Sequence, residues 1–250
     1  MILGPPGPEG LGDLALVLSG AVLGGLVRGF SGFGTAMIYL PFAGQVMPPV
    51  WALTTLLMMD LIGPVPNIVR SFRAAQAGDL RRLLLGAAAG VPLGVFILAH
   101  SRPEVFRYTV SILALFLLGL LLAGFRHRGG LSRRAMVGTG ALGGFLGGVA
   151  GLPGPPVILL YMSGPHTPAE IRATTMIYLF GIDVMLMSVF VVSGLLDGRA
   201  ILLGLGLAVP YLLSNLAGAA IFRPGRARLY RGVAYCIIAA SAVRGLPLWH

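Results

Sequence analysis

GFSGFG (Gly29–Gly34), within VRGFSGFGTAMIYLP (Val27–Pro41), breaks an apolar region that runs from Leu11 to Val69. A helix needs about 20 apolar residues to cross a bilayer, so this region holds one crossing and something more. Glycine gains little from helical order and adopts turns that other residues avoid, which makes the motif a break rather than a continuation. AGLPGPP (Ala150–Pro156) cuts a second long region, Ala135 to Leu196, with prolines that cannot extend a helical ladder. Around the two breaks, Leu83–Ser101, Tyr108–Phe125, Ala200–Phe222 and Leu229–Leu248 each suit one span, the last trimmed by Arg231 and Arg244.

Composition places these segments in a membrane. Of 250 residues, 56% are hydrophobic and 10% charged, with a mean hydropathy of +0.90. Soluble domains carry about 25% charged residues, so a water-soluble globule is excluded. The net charge of +10 would suit a nucleic-acid binder, yet all 18 basic residues are arginines gathered in short clusters between long uncharged stretches. That is the pattern of membrane loops, and no nucleic-acid partner is expected. The lone Cys236 cannot form an intramolecular disulfide, and MILGPPGPEGLGD (Met1–Asp13) lacks the basic start of a signal peptide.

The two breaks occupy matching places in an internal repeat. Gly24, Gly25, Gly29 and Gly32 align with Gly143, Gly144, Gly148 and Gly151 at an offset of 119. Gly34, Gly44, Pro48, Thr54 and Thr55 align with Gly154, Gly164, Pro168, Thr174 and Thr175 at 120, and Gly94, Arg102 and Arg107 with Gly218, Arg226 and Arg231 at 124. This gives a first repeat over 11–126, a cytoplasmic basic linker over 127–134 and a second repeat over 135–247, in one membrane domain.

Arginine placement chooses between two topologies. If every broken segment crosses, the halves are parallel with eight full spans, and Arg70, Arg73, Arg81, Arg82, Arg126, Arg128, Arg133, Arg134 and Arg199 face Arg102, Arg107, Arg172, Arg223, Arg226, Arg228 and Arg231 across the membrane, 9 against 7. If each broken segment is a re-entrant hairpin, each half adds three crossings and the halves are inverted. Arg172 and the 223–231 cluster then change sides, Arg199 returns, and the split becomes 13 to 3. The positive-inside rule favours the second arrangement. The expected fold is therefore an all-α integral membrane protein of two inverted repeats, with both termini outside.

In that arrangement the short helices after the breaks begin near Thr35 and at Pro155 or Pro156, with their N-termini at mid-membrane. Unpaired N–H groups and the positive end of the helix dipole make such a terminus an anion site. The expected lining is Ser31, Gly32, Phe33, Gly34 and Thr35 from the first break and Gly151, Leu152 and Gly154 from the second. Alternatively, the glycines only let helices pack closely. Arg28 stands apart from the loop clusters and should face an anionic substrate, a carboxylate or helix-end carbonyls. Asp60 and Asp183 are the candidates for a coupling proton or an ion pair with it. Asn67, after a Gly-Pro-Val-Pro kink, Thr174 and Asn215 are further candidate contacts. Thr167-Pro-Ala-Glu170 reads as a capping box. His166 reads as a loop residue, and His100, His127 and His250 are too scattered for a metal site, so neither metal nor cofactor is expected.

VRGFSGFGTAMIYLP (Val27–Pro41) and GGVAGLPGPPVILLY (Gly147–Tyr161), in a basic membrane chain of this length, resemble the TauE/SafE family of sulfite exporters, also called the toluene sulfonate uptake permease family. The likeness covers essentially the whole chain; the second motif departs from the commoner glycine-only form through Pro153, Pro155 and Pro156. It implies a secondary transporter in the inner (cytoplasmic) membrane that moves sulfite, organosulfonates or related small anions, with an exporter as the expected direction. The partners are then a small anion, the bilayer, protons and a second copy of the chain. An anion channel would use the same helix termini. Gly29-Phe30-Ser31-Gly32 also matches the GxSG of intramembrane serine proteases, but no histidine lies in mid-span to act as base.

Overall fold

The computed structural model describes residues 7–8, 10–62, 71–72, 75–123, 132–161, 167–223 and 227–247. Among these residues there are ten helices and no strand: α1 (Leu11–Ser31), α2 (Thr35–Ala43), α3 (Pro49–Ile62), α4 (Ala77–Ala99), α5 (Pro103–Leu122), α6 (Arg133–Ala150), α7 (Gly154–Tyr161), α8 (Pro168–Val192), α9 (Gly198–Ile221) and α10 (Ala227–Gly245). α1, α4, α5, α9 and the Ala173–Val192 part of α8 are long and apolar enough to cross a membrane. Their outward faces carry large apolar side chains such as Leu85, Phe96, Phe116 and Leu213, as a lipid-facing surface requires.

Both breaks fall where glycine and proline put them. Gly32 ends α1 in the left-handed region, φ 83°, and returns its N–H to the Arg28 carbonyl; Gly34, φ 100°, opens α2. Gly151 ends α6 at φ 66°, with its N–H on the Gly147 carbonyl and the Leu152 N–H on that of Leu146. Gly32 and Gly151 are C-caps and Gly34 an N-cap, all in a conformation that only a residue without a Cβ adopts cheaply. The capping box at α8 is present, with Thr167 and Glu170 bonded reciprocally.

The described chain forms two compact units, Met1–Gly63 with Ser101–Leu118 and Leu196–His250, and Pro64–His100 with Gly119–Leu195. Neither is a sequence half. In the first, α9 packs along α1; in the second, α4 packs along α6. The glycines of the repeat make both pairings. A Cβ on Gly29 would lie 2.9 Å from the Gly218 Cα, and one on Gly148 would lie 2.8 Å from the Gly94 Cα. Gly29 and Gly148 are repeat equivalents, as are Gly94 and Gly218, so the same close helix contact is built twice. For these positions the close-packing role is the one observed.

Inside the first unit, contacts rise together along α1 and α9: Gly25 meets Tyr211 and Ser214, and Gly29 meets Asn215, Gly218 and Ala219. The two helices therefore run parallel. α2 turns back along α1, with Thr35 against Gly24 and Phe42 against Gly20. The two helices fold back on each other with unequal arms. Nothing between Leu11 and Phe30 breaks a helix, so α1 reaches spanning length while α2 has 9 residues.

Candidate functional site

The polar centre of the first unit is assembled from four helices. Arg28 comes from the last turn of α1, Thr35 from the start of α2, Asp60 from the end of α3 and Tyr211 from the middle of α9. Arg28 Nη1 donates to Asp60 Oδ1 at 2.6 Å, and the two side chains are 12% and 13% exposed. The Tyr211 hydroxyl donates to the same Oδ1 at 3.0 Å. Its only proton being used there, it accepts from Thr35 Oγ1 at 3.3 Å, and Thr35 Oγ1 lies 3.5 Å from Arg28 Nη1. Below this ring, Tyr39 donates to Thr55 Oγ1 at 2.7 Å, tying α2 to α3.

Depth follows from α9. Tyr211 lies about 20 Å from the start of that helix and about 15 Å from its end at 1.5 Å per residue. Tyr211 thus lies near the middle of α9, and the cluster sits beside the N-terminus of α2. The first helical bond of α2 runs from the Ile38 N–H to the Gly34 carbonyl, and no side chain caps the terminus. The N–H groups of Thr35, Ala36 and Met37 therefore precede the ladder, next to a guanidinium. The positive end of the α2 dipole thus lies beside the neutral Arg28–Asp60 pair.

Other expected residues have different surroundings. Ser31 Oγ lies 2.7 Å from the carbonyl oxygens of Val27 and of Phe33 and accepts from the Phe33 N–H at 3.3 Å, so it fixes the break. Among the described residues, no base touches it. Asn215 is half-buried one turn beyond Tyr211, and its amide makes no hydrogen bond among the described residues. Asn67 and His166 lie outside the described residues.

Gly151, Leu152, Gly154, Thr174 and Asp183 belong to the second unit. Leu152 is buried, Gly154 begins α7, and Thr174 accepts from the Gln76 N–H at 3.1 Å. Asp183 is buried in α8. The second unit does not copy the polar centre. At the repeat offsets, Arg28, Thr35 and Tyr211 correspond to Gly147, Pro155 and Ala87. Pro155 and Pro156 also delete two of the N–H donors that would open α7. Among the described residues, no group of three or more His, Cys, Asp or Glu could hold a metal ion.

Tyr211 is the residue that sequence reasoning missed. Its signal was there: a hydroxyl in the middle of an apolar span, one turn before Asn215, in the helix whose Gly218 aligns with Gly94.

A model of the family described as "Sulfite exporter TauE/SafE" matches residues 16–245, nearly the whole chain. The curated proteins and the solved structures contain no match to it.

Proposed function

The chain belongs to the TauE/SafE sulfite exporter family, a family of membrane transporters, and from that premise we propose that it is a secondary transporter of small organic or inorganic anions such as sulfite or organosulfonates. It is a multi-pass membrane protein and not an enzyme. In our reading it resides in the inner (cytoplasmic) membrane, with the two repeats inverted, the arginine clusters in the cytoplasm and export as the direction of work. The observation that carries the anion assignment is Arg28, held by Asp60 beside the uncapped N-terminus of α2. A guanidinium presents a planar fork that suits sulfite, sulfonate or carboxylate oxygens, and N–H donors at the helix end complete such a contact. Gly32, Phe33 and Gly34 bring the two together, Ser31 holds the turn, and Asn215 supplies a further amide. Gly151, Leu152 and Gly154 form the matching break, with fewer donors.

Thermal unfolding of the purified protein with sulfite, sulfoacetate, taurine, lactate or sulfate tests this. An anion that binds only the folded state stabilises it by about 2.7 kcal/mol at a hundred times its Kd. At least one sulfur oxyanion should raise the Tm and Arg28→Gln should remove the effect; indifference to all five would overturn the assignment.

A further inference from the structure

We propose that Asp60 is the proton site of an exchange in which the transported anion replaces the Asp60 carboxylate on Arg28, so that one proton enters with each anion. The idea rests on the anion-transport reading above and adds its coupling. Two features carry it. First, the pair is one-sided. Asp60 Oδ1 accepts from both Arg28 Nη1 and the Tyr211 hydroxyl, and Oδ2 makes no hydrogen bond among the described residues. Oδ2 is therefore the oxygen able to take a proton while Tyr211 keeps the carboxyl in place. Second, among the described residues the ionisable groups bonded to Asp60 are Arg28 from α1 and Tyr211 from α9, while α2 offers the Thr35 hydroxyl, with Tyr39 bonded to Thr55 farther along.

Charge bookkeeping then dictates the stoichiometry. The Arg28–Asp60 pair is neutral. An anion that took Arg28 alone would leave a carboxylate unpaired at mid-span, which is strongly unfavourable in an apolar surround. A proton on Oδ2 restores neutrality: guanidinium with anion, beside a neutral acid. The proton is drawn from the side the anion enters and is released where it leaves, when Asp60 reclaims Arg28. No covalent bond forms or breaks. Transport of a monovalent anion is then electroneutral proton symport, and net export occurs when the outward anion gradient exceeds the inward proton gradient.

The probes are methanesulfonate, which stays ionised at every working pH, and sulfite. In weak buffer with a pH indicator, methanesulfonate binding by the wild-type protein should take up one proton per anion, and its affinity should fall about tenfold per pH unit on the alkaline side, as linkage requires. Asp60→Asn, an isostere of the protonated acid, should bind without proton uptake and with a flat pH profile. In vesicles it should equilibrate the anion but not accumulate it along a pH gradient. If that variant folds poorly, the wild-type proton count still decides. Binding without proton uptake, or an Asp60→Asn protein that keeps the wild-type pH dependence, overturns the coupling while leaving anion transport intact. Failure of the wild type to bind either probe overturns both.

Discussion

At Arg28 a guanidinium is held by the Asp60 carboxylate and lies against the Thr35 hydroxyl. Removing either member of a buried pair strands the other, at a cost of about 3–5 kcal/mol. We expect Arg28→Gln and Asp60→Asn each to lower thermal stability, with the larger loss in the variant that leaves the carboxylate. The double change should recover most of it, since both exposed fractions are small and the replacements keep the shape. If the double variant is no more stable than the weaker single one, the two residues do not act as a pair. Two glycines a few positions on separate packing from function. Gly34 has room for a Cβ, 3.5 Å from Ile238 and 3.7 Å from Val27, but its φ of 100° resists one, so Gly34→Ala should cost about 1–2 kcal/mol and disturb the α2 terminus. Gly29 has no such room: its Cβ would sit 2.7 Å from the Ala219 nitrogen in α9. Gly29→Ala should reduce folded yield in detergent, whereas Gly34→Ala should reduce anion binding more than yield. The same loss from both would remove the distinction.

Among the elements, the two short helices differ in one chemical respect that can be transplanted. Position 36 in α2 corresponds to Pro156 in α7 at the repeat offset of 120. Ala36→Pro therefore copies a first turn that the chain already builds elsewhere, and proline is tolerated there because the N–H it deletes has no partner inside the helix. The fold should survive. Anion affinity should fall by about tenfold to a hundredfold, the worth of one hydrogen bond to a charged group. Titration calorimetry that found unchanged affinity in a folded Ala36→Pro protein would take the α2 terminus out of the site.

The elements also mark what the sequence could disclose. Leu83–Ser101, Tyr108–Phe125 and Ala200–Phe222 fall on α4, α5 and α9 to within about six residues, because lipid imposes a long uncharged run on each, and Leu229–Leu248 falls on α10 despite Arg231 and Arg244. The breaks were legible for the opposite reason: Gly32, Gly34 and Gly151 sit at positive φ, where their missing Cβ is needed. Partner choice was not legible. That α1 takes α9, and α6 takes α4, depends on which glycine faces meet, and periodicity gives a helix a face without naming its neighbour. Tyr211 escaped for a related reason, since hydropathy scores a tyrosine in a span as apolar and is silent on where its hydroxyl points.

For the molecule as a whole, the inverted arrangement predicts labelling from opposite sides. Single cysteines at Gln45 and His166 in a Cys236→Ser background should react with impermeant maleimide from outside and from the cytoplasm respectively; the replaced thiol, Cys236, is itself exposed on α10. Reaction of both from one side would support eight parallel spans instead. Function is tested most directly by transport in a variant whose stability is not the issue. Uptake of radiolabelled sulfite into proteoliposomes should saturate with concentration for the wild-type protein and fall to the protein-free rate for the Arg28→Gln, Asp60→Asn double variant, which is neutral and folded but has no cation beside α2. Saturable sulfite uptake by that double variant at the wild-type rate would contradict the account, because it would show an anion crossing without Arg28 to receive it.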